Sequence, residues 1–279
     1  MNKKLMIFTL VTCLFSWLFW IPIIQIMPGS PFEAGGLVPV LFFAGAYGPT
    51  LMGILLTWVY DRGDGLKALF RRAVKVKVGM ANLLVGLLAG PVLYALSVIL
   101  YVLVGGELGM VNYGLLPWIP VIVAASVIFG PLAEEFGWRG FALPLLNYQE
   151  RPVMASIVIG FIWALWHTPL FWAQTGTAIS GFPVTPERVA LFFMAVIGSS
   201  FIYTWLFSRT SASLFVAIFL HLSMNASGTI SGMLYPDLTP EQQLTMYKLY
   251  TLGLWIFLAV AALVMQARKN ARVRSASGA

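Results

Sequence analysis

A chain of 279 residues with 59% hydrophobic residues, 10% charged residues and a mean hydropathy of +0.87 lies outside the balance of soluble globular domains. Its net charge of +7 calls for no nucleic acid, because basic loops beside anionic lipid headgroups account for it. No sustained period-two alternation signals a β-barrel, so the fold class is all-α, a polytopic membrane helical bundle.

In chain order, apolar runs separated by Gly, Pro, Asn and charge clusters predict about eight transmembrane helices. They fall near 5–27, 38–60, 80–104, 117–147, 153–173, 188–207, 212–233 and 247–266. The opening MNKK and the long apolar stretch after it read as a retained first helix rather than a signal peptide, since no small-residue cleavage site follows. Cys13, the only cysteine, lies in this first run and has no intrachain disulfide partner. The inner loop from Asp61 to Val78, with GLKALFRRAVKVKVG, is expected to form a short amphipathic segment at the interface. The basic, Ser-containing tail 267–279 is expected to be disordered. The whole chain, 1–279, reads as one integral-membrane domain.

Eight spans starting inside place both termini in the cytoplasm. They also place Lys3, Lys4, Arg62, Lys67, Arg71, Arg72, Lys75, Lys77, Arg151, Arg209, Arg268, Lys269, Arg272 and Arg274 on the inner side, with only Arg188 and Lys248 outside. That asymmetry is what the positive-inside rule demands. A seven-span count would scatter these residues over both faces. The expected location is a bacterial cytoplasmic membrane, with lipids as neighbours; no oligomeric state follows from the sequence.

Ionisable groups at membrane depth are costly and mark function by default. Within the spans they are Glu134, Glu135, Arg139, His167 and His221, with Asn225 as a neutral polar companion; the two histidines are the only ones in the chain. Glu135 and Arg139 are four apart, Glu first, the better order for an ion pair on a helix. Glu134 then points elsewhere, beside Trp138. Burial disfavours a charge and a neighbouring guanidinium favours it, so the pair is expected to yield one structural carboxylate and one poised to take a proton. Glu134 precedes the turn NYQERP, and His167 follows it, by nearly equal stretches. At about 1.5 Å per residue both lie roughly 20 Å from that turn, on antiparallel helices, with bends expected at Pro131 and Pro144. His221 lies at a comparable depth and shares a helix face with Asn225, so one cavity can hold all of these groups.

The segments EEFGWRG, WALWH and HLSMN resemble the three motifs of the CPBP (CAAX protease and bacteriocin-processing) family of intramembrane proteases, related to type II CAAX prenyl endopeptidases. The resemblance covers roughly 118–225. It implies that Glu134 and His167 activate a water, that His221 and Asn225 stabilise the oxyanion at the scissile carbonyl, and that Glu135 and Arg139 organise these groups from behind. Trp163 stands where the family most often has Phe, and a packing role is expected to persist there. The implied activity is hydrolysis of peptide bonds in membrane-associated or lipidated peptide or protein substrates, cut near the inner side of the membrane. Nucleophilic catalysis is disfavoured: Cys13 lies far off in the first span, and Ser223, although close to His221, has no acid behind it.

The family has commonly been described as metalloproteases. If zinc is bound, Glu134, His167 and His221 would supply three ligands and leave a fourth position for water. HExxH is absent, and a glutamate-activated water needs no ion, so no cofactor is favoured and Zn²⁺ is the alternative. A competing function is a non-catalytic membrane scaffold or bacteriocin-immunity-type protein. A transporter with a proton relay is disfavoured because no repeat-related second site exists.

Overall fold

The computed structural model describes residues 2–27 and 29–277, and no strand occurs among them. Helices α1 (Lys3–Trp20), α2 (Pro31–Ala34), α3 (Val38–Ala46), α4 (Gly48–Ala73) and α5 (Met80–Leu103) precede the motif region. There α6 (Ile119–Phe129) and α7 (Pro131–Glu135) lead into a π-helix over Phe136–Ala142 and a 3-10 turn over Leu143–Leu146. The chain continues with α8 (Pro152–Trp166), a 3-10 turn at Thr168–Trp172, α9 (Pro186–Arg209), α10 (Leu214–Leu234) and α11 (Pro240–Ser277).

All eight expected runs have a helical counterpart, but the lengths differ from the expectation. Among the described residues six helical segments, including the composite Tyr113–Leu146, are long and apolar enough to cross a membrane, and the α3–α4 pair, bent by 49°, makes a seventh if taken as one span. The run expected at 153–173 becomes the 15-residue α8, about 22 Å long and so short of the roughly 30 Å hydrocarbon thickness. A left-handed Asn147 sits in the turn ahead of it. The break of α4 at Arg62, in a positive-φ conformation, separates its apolar first part from the basic stretch that follows. The tail expected to be disordered is instead helical as far as Ser277. Ala, Lys and Arg are good helix formers, and a helix already nucleated upstream propagates through them.

Close backbone approaches between small residues fix the helices that carry the site. A Cβ on Gly137 would collide with the Pro49 backbone, and one on Gly53 with the backbone of Phe136 and Gly137, so α4 lies directly on the π-helix. Similarly, Gly90 of α5 lies against the backbone of Ser223 in α10 and donates its N–H to the Ser223 hydroxyl at 3.3 Å. Aromatic N–H groups anchor α1: Trp17 donates to the Trp166 carbonyl at 2.9 Å and Trp166 to the Ser16 hydroxyl at 2.7 Å.

Candidate active site

The sequence GPLAEEFGWRG cannot continue α6 unbroken, because Pro131 lacks an N–H and clashes with the preceding turn. The chain departs from helical geometry at Gly130 (φ −132°, ψ −93°) before α7 begins. Backbone carbonyls freed at such a break need other donors at membrane depth. The Tyr47 hydroxyl donates to the Ile128 carbonyl at 2.8 Å and the Thr50 hydroxyl to the Leu132 carbonyl at 3.0 Å. The break re-aims α7, so that Glu134 lines a cavity of about 630 Å³ together with His167, His221 and Asn225. Glu135 and Arg139 are absent from the lining and wholly buried.

Glu135 accepts from Arg139 Nη1 at 2.8 Å, as the spacing predicts. The same Oε1 also accepts from Nδ1 of His221 at 2.7 Å, a link 86 positions long that no local pattern signals. The Arg139 guanidinium lies 3.7 Å from the ring centroid of Tyr203 and 4.4 Å from that of Trp163. Two aromatic faces thus supply electrostatic stabilisation where water cannot.

Glu134 is held from the opposite direction. Its Oε2 accepts from the indole N–H of Trp138 at 3.1 Å and from that of Trp163 at 2.6 Å. The packing role expected of Trp163 is therefore incomplete: it donates to the buried carboxylate, which a phenylalanine cannot do. The overlooked signal was the indole N–H itself, a donor that seeks an acceptor whenever it is buried. Glu134 Oε1 remains, and it stands 3.9 Å from His221 Nε2, too far for a hydrogen bond but a separation across which one water can contact both.

The two imidazoles share a tautomeric constraint. His167 Nδ1 is 2.8 Å from the Trp163 carbonyl, an acceptor only, so this nitrogen carries the hydrogen. His221 Nδ1 faces the Glu135 carboxylate and donates likewise. Each neutral ring consequently keeps a bare Nε2. Asn225 is exposed to the cavity, and its Nδ2 lies so near Gly130 that a Cβ there would come within 2.6 Å of it.

Glu134 Oε1 and the two Nε2 atoms are donors that zinc accepts. Their placement does not form a ligand set, because among the described residues no group of three or more His, Cys, Asp or Glu side chains is disposed to hold a metal ion.

Helix lengths and a carboxylate–histidine cluster buried among them define the class: an integral, multi-pass membrane protein built around an intramembrane polar site. Residues 116–227 match the family described as Rce1-like, type II CAAX prenyl endopeptidase Rce1-like. All six candidate residues fall inside the matched stretch. Over 230 residues, 80% of this chain and 83% of the relative, the sequence is 23% identical to a protein of Methanococcus maripaludis named CAAX prenyl protease 2.

Proposed function

We propose that this chain is an intramembrane endopeptidase that hydrolyses peptide bonds of membrane-associated or lipidated proteins with a water activated by Glu134. The observation that carries this reading is the unequal use of the Glu134 carboxylate: Oε2 is fixed by two indoles, while Oε1 is left facing His221 Nε2 in a cavity shared with His167 and Asn225. The family description and the name of the archaeal relative support a protease.

In the reaction, water binds at Glu134 Oε1, donating one hydrogen to it and the other to the bare Nε2 of His167. Its oxygen attacks the scissile carbonyl carbon while Glu134 takes a proton. His167, its Nδ1–H anchored on a backbone carbonyl, presents Nε2 to the second hydrogen of the water and orients it. Asn225 Nδ2 donates to the oxyanion that develops. A neutral His221 offers that oxyanion only a lone pair, so its part in stabilising the charge requires the doubly protonated ring; Glu135 then carries the opposite charge across Nδ1, as the buried acid of a catalytic triad does. Glu134 finally passes its proton to the leaving amine as the C–N bond breaks. No step runs through a metal, and the donor placement supports that choice.

Membrane proteomes of cells carrying the wild type and Glu134→Ala provide the test. Uncleaved precursors should accumulate in the variant, and His167→Ala should accumulate the same set while both proteins remain folded. Normal processing by both variants would sink the proposal, and biological complementation by Glu134→Ala would favour the scaffold reading. Incubation of purified enzyme with a strong chelator is expected to leave its rate unchanged, with metal analysis below one zinc per chain; loss of activity that zinc restores would overturn the metal-free mechanism.

A further inference from the structure

The break that aims Glu134 is gripped by a second one. At Gly130 the chain leaves helical geometry between α6 and α7, and at Tyr47 it turns from α3 into α4, whose axes differ by 49°. From this second break two hydroxyls reach the first, one on either side of it. Tyr47 donates at 2.8 Å to the carbonyl of Ile128, just before Gly130, and Thr50 at 3.0 Å to the carbonyl of Leu132, just after it and one helical step short of Ala133 and Glu134. Beside them the backbones themselves touch, where Pro49 and Gly53 meet Gly137.

A serine or threonine inside a helix can return its hydroxyl to the carbonyl four residues back, as Thr57 does to Gly53, Ser200 to Val196 and Thr251 to Tyr247. Thr50 is buried in the same way but sends its hydroxyl across to another segment. Such a bond fixes the register of the two segments, because in hydrocarbon a carbonyl freed by a broken helix has no water to turn to. Without the hydroxyl, the Leu132 peptide plane turns toward another donor. Helix α7 is only five residues long, so that turn is transmitted to Glu134. The Oε2 end of the carboxylate is held by Trp138 and Trp163. A displaced backbone therefore swings Oε1, the oxygen that faces His221 Nε2 across 3.9 Å.

We infer that Thr50, supported by Tyr47, is a positioning residue of the reaction: from outside the stretch 116–227 it sets where Glu134 Oε1 stands in the cavity. This deepens the endopeptidase reading and rests on it. Neither Tyr47 nor Thr50 lines the cavity, so the effect runs through the backbone of α7 rather than through contact with the substrate. A misplacement of about 1 Å in a reacting group can cost about 100-fold in rate. The signature is a loss in kcat that KM does not share.

Thr50→Val keeps the shape of the side chain and replaces the hydroxyl by a methyl, whereas Thr50→Ser keeps the hydroxyl. The assay uses a peptide built on the cleavage site of a precursor that accumulates in Glu134→Ala cells. Thr50→Val is expected to lower kcat by about 10- to 100-fold with KM within about twofold, and Thr50→Ser to retain most of the wild-type kcat. A second readout needs no substrate. The chain has two histidines, so histidine-labelled protein gives two sets of ring resonances, told apart with His167→Gln. Thr50→Val should shift the His221 set, because the carboxylate facing its Nε2 moves, and Thr50→Ser should leave that set in place. If Thr50→Val does not fold, Tyr47→Phe carries both readouts, with smaller changes in the same direction because Leu132 stays held. Unshifted His221 resonances in a folded variant overturn the inference, and so does a wild-type kcat accompanied only by a lower unfolding temperature. Equal losses in Thr50→Ser and Thr50→Val overturn it as well, since the hydroxyl is then not the cause. Shifted resonances in a protein whose wild type cleaves no peptide would remove the endopeptidase reading and leave the placement of Glu134 by Thr50 standing.

Discussion

Glu134 and Glu135 are adjacent in sequence and meet opposite edges of the same His221 ring in different surroundings. The Glu135 side is closed to the cavity: one carboxylate oxygen serves both Arg139 and His221, the guanidinium is flanked by the rings of Tyr203 and Trp163, and Glu135 Oε2 with Arg139 Nε and Nη2 is buried without a hydrogen-bond partner. On the Glu134 side one oxygen is immobilised by two indoles and the other is left for the cavity. In the mechanism proposed above, the same functional group is structural where it is sealed from the cavity beside a cation, and reactive where one oxygen faces the cavity. The rotation of about 100° between neighbouring helical residues, combined with the break at Gly130, is enough to separate the two roles.

The sharpest way to break this comparison is to neutralise each carboxylate in turn. Glu134→Gln keeps the size of the side chain and removes the base. Cleavage should fall by about 10²–10⁴-fold, the usual contribution of a positioned general base, while thermal unfolding of the detergent-solubilised protein stays near wild type. Glu135→Gln should do the reverse in emphasis, since it leaves Arg139 buried beside a neutral amide. A lower unfolding temperature is expected to accompany its loss of activity. If Glu134→Gln destabilises as much as Glu135→Gln, the division into a structural and a reactive carboxylate is wrong.

Arg139→Leu comes next, because it strips the ion pair and the cation over two aromatic rings together. Breaking one partner out of a buried pair costs about 3–5 kcal/mol, so a marked drop in unfolding temperature is expected. Arg139→Lys should rescue it only in part, since an ammonium cannot lie flat against Tyr203 as a guanidinium does. Full rescue by Lys would reduce the role of Arg139 to a point charge.

These contrasts also show which parts of the site could be seen without a structure. The Glu135–Arg139 pair was legible because its cause is local: a four-residue spacing on a helix. The shared cavity of Glu134, His167, His221 and Asn225 was legible through depth counted along antiparallel helices. Hidden from sequence were contacts made by distant elements, such as Glu135 with His221 and Trp163 with Glu134. The π-helix was hidden too, lying as it does where Gly137 meets the Pro49 backbone. Among the spans, apolar composition marked all eight helical runs but not how much of 153–173 is regular helix; Pro169, one residue into the 3-10 turn after α8, ends it early. The tail from 267 onward read as disordered on composition alone, which takes no account of a helix already running into it.

The smallest expected effect isolates the donor that composition concealed. Trp163→Phe keeps an aromatic ring beneath the Arg139 guanidinium and beside Tyr203 and His221, and removes the N–H that binds Glu134 Oε2. Trp138 still donates to that oxygen, so the carboxylate is loosened rather than released. A hydrogen bond to a charged group contributes about 1.5–3 kcal/mol. With one of two donors lost and some compensation from the other, kcat should fall roughly tenfold, which corresponds to about 1.4 kcal/mol. KM should change little, because Trp163 acts on the base rather than on the bound peptide. A variant with wild-type kcat and lowered unfolding temperature would return Trp163 to packing alone. A fall in kcat at unchanged stability would show that holding one oxygen of Glu134 still is part of what makes the other one reactive.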